Sequence, residues 1–181
     1  MSRLSKVGGL VASTLLLSAS VAWAASLTLT SPNKFEPSSD LGDDQCQCTY
    51  FVDGYTYKCG WKIQFSRTTN RYGKDWPSLV TNATLSNTPK IGSVMCLGAF
   101  PGNPYGHVAV VQSVTQTKTG YTLGVIEANW PTKRGAAGVV NGRWKYYQHN
   151  WNVTTAGPLT AKIEDETSAV SVPVVGFLYP K

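Results

Sequence analysis

The stretch that decides the fold runs from Tyr105 to Trp130 and reads YGHVAVVQSVTQTKTGYTLGVIEANW. Two runs rich in Val, Ile, Thr and Tyr flank a TKTG turn at Thr117–Gly120, the pattern of a β-hairpin. With the turn centred between Lys118 and Thr119, His107 comes level with about residue 130 on the return arm. Alternation puts His107, Ala109 and Val111 on one face and Val108, Val110 and Gln112 on the other. Glu127 and Asn129 are two residues apart, so they share a face and both fall near the imidazole. A histidine that opens a strand behind a Gly- and Pro-rich loop, GAFPGNPYG, can reach a cleft while the sheet holds it rigid.

Outward from the hairpin, GSVMCLG at Gly92–Gly98 predicts the preceding strand. Further strands are expected around Arg143–Tyr147 and Val172–Tyr179. The polar, turn-rich segment Trp61–Lys90 reads as loop with short helical turns. Cys48–Tyr57 supports two readings. Cys48, Phe51, Val52 and Tyr55 fall on one helical face, yet its Thr, Tyr, Phe and Val favour strands, and Gly54 weakens a helix by about 1 kcal/mol.

The chain of 181 residues suggests one domain plus extras. Residues 1–24 read as a cleaved signal peptide: Arg3 and Lys6 lead, an apolar run follows, and Ala22-Trp23-Ala24 offers small residues at the cleavage site. Residues 25–44, broken by Pro32, Pro37 and Gly42, read as an extended lead-in. The folded domain is placed at 45–181. Without Arg3 and Lys6 the net charge falls from +6 to +4. That mild, unclustered charge allows weak attraction to anionic polymers such as cell walls. The absence of a basic run interleaved with aromatics argues against nucleic acid. No stable membrane insertion is expected after signal cleavage. The expected location is secreted or periplasmic.

The four cysteines are Cys46, Cys48, Cys59 and Cys96. Export favours disulfides, but a Cys-x-Cys pair makes a poor staple, and its spacing lacks the ligand pairs of a zinc site. No metal or cofactor is expected. Catalysis offers another use. A thiol nucleophile needs a base, a group to orient that base, and donors for an oxyanion. Cys48, His107 and then Glu127 or Asn129 supply such a set. From the residues alone a disulfide at Cys48 and a structural His107 stay open as alternatives.

Five blocks in order carry a family resemblance: QCTYFV at Gln47–Val52, KDWP at Lys74–Pro77, PKIGSVMCL at Pro89–Leu97, YGHVAVV at Tyr105–Val111 and VIEANW at Val125–Trp130. Together they resemble CHAP domains, cysteine- and histidine-dependent amidohydrolases and peptidases related to the papain-like, NlpC-type hydrolases. The resemblance implies an α+β fold in which an N-terminal helix carries the nucleophile and packs on an antiparallel sheet carrying the histidine. It implies Cys48 as nucleophile, His107 as base, Glu127 as the orienting residue with Asn129 as alternate, and Gln47 as a group that positions substrate or stabilises the oxyanion. It assigns no role to His149. Calcium is not carried over, because Tyr50 stands at one of the places where some relatives have an acid. The tail beyond Trp130 is expected to finish the domain without adding a wall-binding module.

With Cys48 free and on a helix, a Cys46–Cys59 bond would span about 15 Å at 1.5 Å per residue, beyond the reach of about 7 Å. Cys46–Cys96 is therefore the expected pair, ahead of Cys59–Cys96; a Cys46–Cys48 bond would instead cap the nucleophile. The function implied is a secreted peptidoglycan hydrolase that cuts amide bonds through an acyl-enzyme. It acts either between muramic acid and L-alanine or within the stem peptide and its bridge. The alternatives are a non-catalytic wall-binding protein on the same fold, or an amidase with another amide as substrate.

Overall fold

A computed structural model describes residue 29 and residues 47–130, 139–140, 143–144, 146–163 and 170–181. The predicted signal peptide, most of the lead-in and Cys46 lie outside the described residues. Helix α1 (Cys48–Lys58) is followed by a 3₁₀ turn (Gly73–Asp75) and the short α2 (Trp76–Leu79). The strands are β1 (Ala83–Ser86), β2 (Val94–Leu97), β3 (His107–Gln116), β4 (Gly120–Glu127), β5 (Val139–Val140), β6 (Arg143–Trp144), β7 (Tyr147–Thr154), β8 (Thr160–Ile163) and β9 (Val172–Pro180).

The main sheet has the order β1-β9-β2-β3-β4-β7-β8, and a further pairing of β8 with β9 bends it round into a barrel with β1 appended at β9. Every pairing is antiparallel. The described residues are thus mostly β, with one helix longer than a single turn, so the sheet weighs more than the expected α+β balance. The predicted β2, β3, β4 and β9 are all present.

Strand alternation sorts the core into two parts. Met95, Leu97, Ala109, Val111, Leu123, Val125, Trp151, Val153 and Phe177 form the cluster inside the curved sheet. Val94, Cys96, Val108, Val110 and Ile126 face the other way and cluster with Phe51, Val52 and Tyr55 of α1. Each of those three helix side chains is fully buried, worth roughly 1.5–3 kcal/mol for a side chain of that class. This burial resolves the ambiguous segment. One apolar stripe with a partner outweighs strand-prone composition and the cost of Gly54. Leu29, the one described residue of the lead-in, packs against the same cluster.

The β3–β4 hairpin turns where TKTG predicts. Ser113 pairs with Gly124 and Gln116 with Tyr121, the register expected from a turn centred between Lys118 and Thr119. A bulge between Val111 and Ser113 then shifts the pairing by one residue, so Val111 faces Val125 and Val110 faces Ile126. Extended down the ladder, this register sets His107 level with Asn129, not with residue 130, and puts Glu127 diagonally across on the same face.

Candidate active site

Cys48 is the first residue of α1, and Gln47 precedes it in extended conformation at the cap position. The thiol therefore sits where helix N–H groups have no partner within the helix and the helix dipole favours negative charge. His107 opens β3 and Glu127 closes β4. Both are fully buried, and His107 Nε2 lies 2.8 Å from Glu127 Oε2. That contact assigns the proton on Nε2 to the hydrogen bond with the carboxylate. The ring's Nδ1 has no nitrogen or oxygen partner among the described residues and is left for the thiol of Cys48, which interacts with the imidazole.

The charges follow from this line of groups. Burial raises the Cys48 thiol pKa, but the adjacent His107 and the Val108 N–H outweigh it and hold the thiol below its ordinary value. Burial lowers the His107 pKa, but Cys48 and Glu127 on its two sides outweigh that and hold the ring well above the usual histidine range. Burial raises the Glu127 pKa, and His107 and then His149 reverse it, holding the carboxyl below the usual carboxylate range. All three shifts favour the charged forms, thiolate, imidazolium and carboxylate, each stabilised by its neighbour.

Trp130 closes the ring of His107 off from solvent. It meets His107 edge-on, with centroids 4.9 Å apart, stacks on Phe100 at 5.3 Å and meets Trp151 edge-on at 4.6 Å. The 3₁₀ turn holds the strand start. Lys74 N–H donates to Tyr105 O, and its Nζ donates to Pro104 O. Gly73 packs so closely that an added Cβ would sit 2.8 Å from the His107 backbone. The KDWP block is thus a brace for His107, anchored by the fully buried Trp76.

Asn129 does not bond His107. Its backbone is in the left-handed region, φ 56°, which asparagine tolerates better than most residues. From there its Nδ2 donates to Gln47 Oε1 at 2.7 Å. Of the two expected orienting residues, Glu127 meets the histidine and Asn129 meets the glutamine. His149, given no part by sequence reasoning, is brought onto the second carboxylate oxygen of Glu127. Nothing in its neighbourhood, the polar run QHN, would have signalled this.

Half of the expected Cys46–Cys96 clamp, Cys46, lies outside the described residues. The other half is a free, fully buried thiol. Cys96 is level with Val108, as the hairpin placement predicts, but its side chain belongs to the helix-side cluster that includes Cys48. Burial, then the nearby Cys48, raises the Cys96 thiol pKa far above its ordinary value.

A cleft of about 720 Å³ opens over this centre. It is lined by Gln47, Cys48, His107 and Asn129 on one side and by Arg71, Tyr72, Asn103 and Tyr105 among others. Tyr72 and Tyr105 pack together, centroids 4.8 Å apart, and both remain exposed. A buried Cys48–His107 pair at the floor of a polar cleft, with the thiol pKa lowered by the imidazole, is equipped for nucleophilic attack on a carbonyl.

The family model of the CHAP domain matches residues 39–129, half of the chain, spanning Cys48, His107, Glu127 and Asn129. This chain belongs to the CHAP domain family. As a CHAP domain it has its matched half in α1 to β4, while β5 to β9 lie beyond the match. No curated protein matches the chain. Two solved structures of Ly7917 are similar to this CHAP domain. One, with the hydrolysing product of MDP, has a TM-score of 0.40 and 16% identity, covering 71% of this chain and 82% of that one. The other, Ly7917 by itself, has a TM-score of 0.39 and 15% identity, covering 74% and 82%.

Proposed function

We propose that this CHAP domain is a peptidoglycan hydrolase that cuts amide bonds through a thioacyl intermediate on Cys48. Family membership supports a hydrolase of peptidoglycan generally. The observation that carries the finer reading is the buried line Cys48–His107–Glu127 beneath an open cleft. A nucleophile at the start of a helix and a base on an antiparallel sheet form the papain-like, NlpC-type arrangement that the resemblance implies.

In the proposed reaction the Cys48 thiolate attacks the carbonyl carbon, and the C=O electrons move to oxygen. Backbone N–H groups at the start of α1 face the developing oxyanion. Gln47 joins them: Asn129 occupies its side-chain oxygen, so the amide nitrogen, the donor end, is left for the substrate. The intermediate collapses, the C–N bond breaks, and His107 delivers its proton to the departing amine. Water then adds to the thioester with His107 as base. The C–S bond breaks and a carboxylate leaves. Glu127 holds the ring and balances its charge throughout.

The substrate reading rests on the cleft and the leader. Exposed Tyr72 and Tyr105 beside Arg71 and Asn103 give a surface with aromatic faces and hydrogen-bonding groups, suited to a glycopeptide. Residues 1–24 as a cleaved signal would deliver the enzyme to the wall, secreted or periplasmic. The test is digestion of purified sacculi followed by mass spectrometry of the new ends. A freed L-alanine amine beside an intact lactyl carboxylate identifies a muramoyl-alanine amidase. A new amine inside the stem or bridge identifies an endopeptidase. Folded protein that releases neither overturns the hydrolase reading.

A further inference from the structure

The loop between α1 and α2 lines one stretch of the cleft, and Arg71 stands on it. Its base is closed by the bridge between Phe65 and Val80 and by the bond from Ser66 N–H to Leu79 O. Within it Asn70 takes the left-handed conformation, φ 53°, which asparagine tolerates better than most residues. The next residue, Arg71, is then held from two sides. Trp76 Nε1 donates to the Arg71 carbonyl at 3.1 Å, and the Arg71 guanidinium carbon lies over the Phe65 ring, 4.8 Å from its centroid. Phe65 in turn meets the fully buried Trp76 edge-on at 5.1 Å. The main chain is thus fixed, and the aromatic ring favours one place for the charged end before any ligand arrives.

Charge selects the ligand. A guanidinium stays protonated throughout the working pH range and only donates. Over a ring it uses its face for the aromatic and keeps its N–H donors at its edge, where their fork matches the two oxygens of a carboxylate. No aspartate or glutamate stands among the described residues that line the cleft. Asp75, the acid of the 3₁₀ turn, meets Arg67 Nη2 at 3.8 Å and is not one of those residues. Lys74, the other cation of that turn, donates through Nζ to Pro104 O. A substrate entering the cleft therefore meets a permanent positive charge near Cys48 and His107, and an anionic substrate is favoured over a neutral one.

We infer that Arg71 is a specificity-determining residue that binds a carboxylate of the substrate, so that the preferred substrate is a peptide with a free carboxylate close to the amide that is cut. The inference rests on the proposed reading of Cys48 as nucleophile. It does not depend on which amide is cut.

The experiment labels Cys48 with bromoacetyl-oligoglycines of increasing length that end either in a carboxylate or in a carboxamide. The modified Cys48 peptide is quantified by mass spectrometry, so no wall substrate enters. In wild type the carboxylate probe should react about tenfold faster than its carboxamide at the length that reaches Arg71. In about 1 M salt, where the screening length is about 3 Å, that preference should shrink severalfold. Arg71→Gln should bring the two probes to within about twofold of each other while the carboxamide rate stays near wild type, a split that a merely structural residue would not give. Lys118→Gln, which removes the same charge on the turn between β3 and β4, should keep the full preference. Equal rates for the two probes in wild type at every length, a reading that needs no variant to fold, would overturn the inference. So would an undiminished preference in Arg71→Gln. Failure of every probe to label Cys48 would sink the nucleophile reading and this inference with it. The expected preference alongside intact sacculi would sink the wall-hydrolase reading and leave this one standing.

Discussion

Asn129 donates its side-chain amide to Gln47 at 2.7 Å, across a separation of 82 residues in the chain, while Glu127 alone meets Nε2 of His107. The two residues that sequence reasoning placed together on the histidine therefore serve different partners. Glu127→Gln should lose about 10²- to 10⁴-fold in turnover, because the histidine loses both its counter-charge and its acceptor. Asn129→Ala should lose less, about tenfold, since it acts through Gln47. Combined with Gln47→Ala, it should add little to the single Gln47 variant. Turnover of all four proteins on one substrate decides this. Additive losses would detach Asn129 from Gln47, and a larger loss for Asn129→Ala would return the orienting role to it.

The two buried thiols should react at very different rates. His107 lowers the pKa of the Cys48 thiol, whereas burial raises that of Cys96. Brief iodoacetamide treatment of the native protein at neutral pH should label Cys48 and leave Cys96 unmodified until denaturant is added. Peptide mapping checks the order. The same non-reduced map checks that Cys96 carries a free thiol and is not half of the Cys46–Cys96 pair expected from the sequence: its recovery as an alkylated peptide after denaturation excludes that bond.

The dependence on pH follows from the directions of the shifts. A lowered thiol and a raised imidazole leave the ion pair intact across neutral pH, so kcat/KM should show a broad plateau. Activity should fall in acid as the thiolate protonates, and in alkali as His107 gives up its proton. Stability has matching signs. The depressed Glu127 contributes stability above the unfolded carboxyl range, about pH 4.3, and loses it as pH falls towards the folded value. The raised His107 contributes fully below about pH 6.5 and loses it as pH rises through its folded value. Glu127→Gln should therefore pull in the alkaline limb, because His107 loses a neighbour that raises its pKa, while the acid limb stays in place or moves lower, because the Glu127 charge raises the Cys48 thiol. An unchanged profile would mean the carboxylate does not support the pair.

Gly73 offers a test away from the chemistry. An added Cβ would sit 2.8 Å from the His107 main chain, so Gly73→Ala must push the strand start or the brace aside. A destabilisation of about 1–3 kcal/mol is expected. Turnover should drop with it, since small displacements of a positioned base cost rate. Thermal melting and steady-state kinetics together check this; wild-type values in both would show that the brace yields at no cost.

Much of this was legible in the sequence because it is local. Alternation and the TKTG turn locate β3 and β4, and the spacing of Glu127 from His107 follows from the hairpin. The bulge after Val111 was not legible, since nothing in VVQSV marks where an extra residue is taken up, and it moves the register by one. Propensity left helix α1 undecided because its composition favours a strand; the family resemblance implied the helix, and burial of Phe51, Val52 and Tyr55 on one face gives its physical reason. β7 was mostly missed because few of its residues are buried, and β8 because it is only four residues long. In YQHNWNVT only Trp151 and Val153 are buried. The contacts of Asn129 with Gln47 and of His149 with Glu127 are tertiary, and no spacing rule reaches them.

The most direct measurement compares wild type with Cys48→Ala on purified sacculi, with released fragments identified by mass spectrometry and folding checked by circular dichroism. Wild type should release one defined class of amide-derived end, and the folded Cys48→Ala protein should release none above background. Equal release by the two proteins would show that the bond is cut without the thiol, and would contradict the assignment of the Cys48–His107–Glu127 centre.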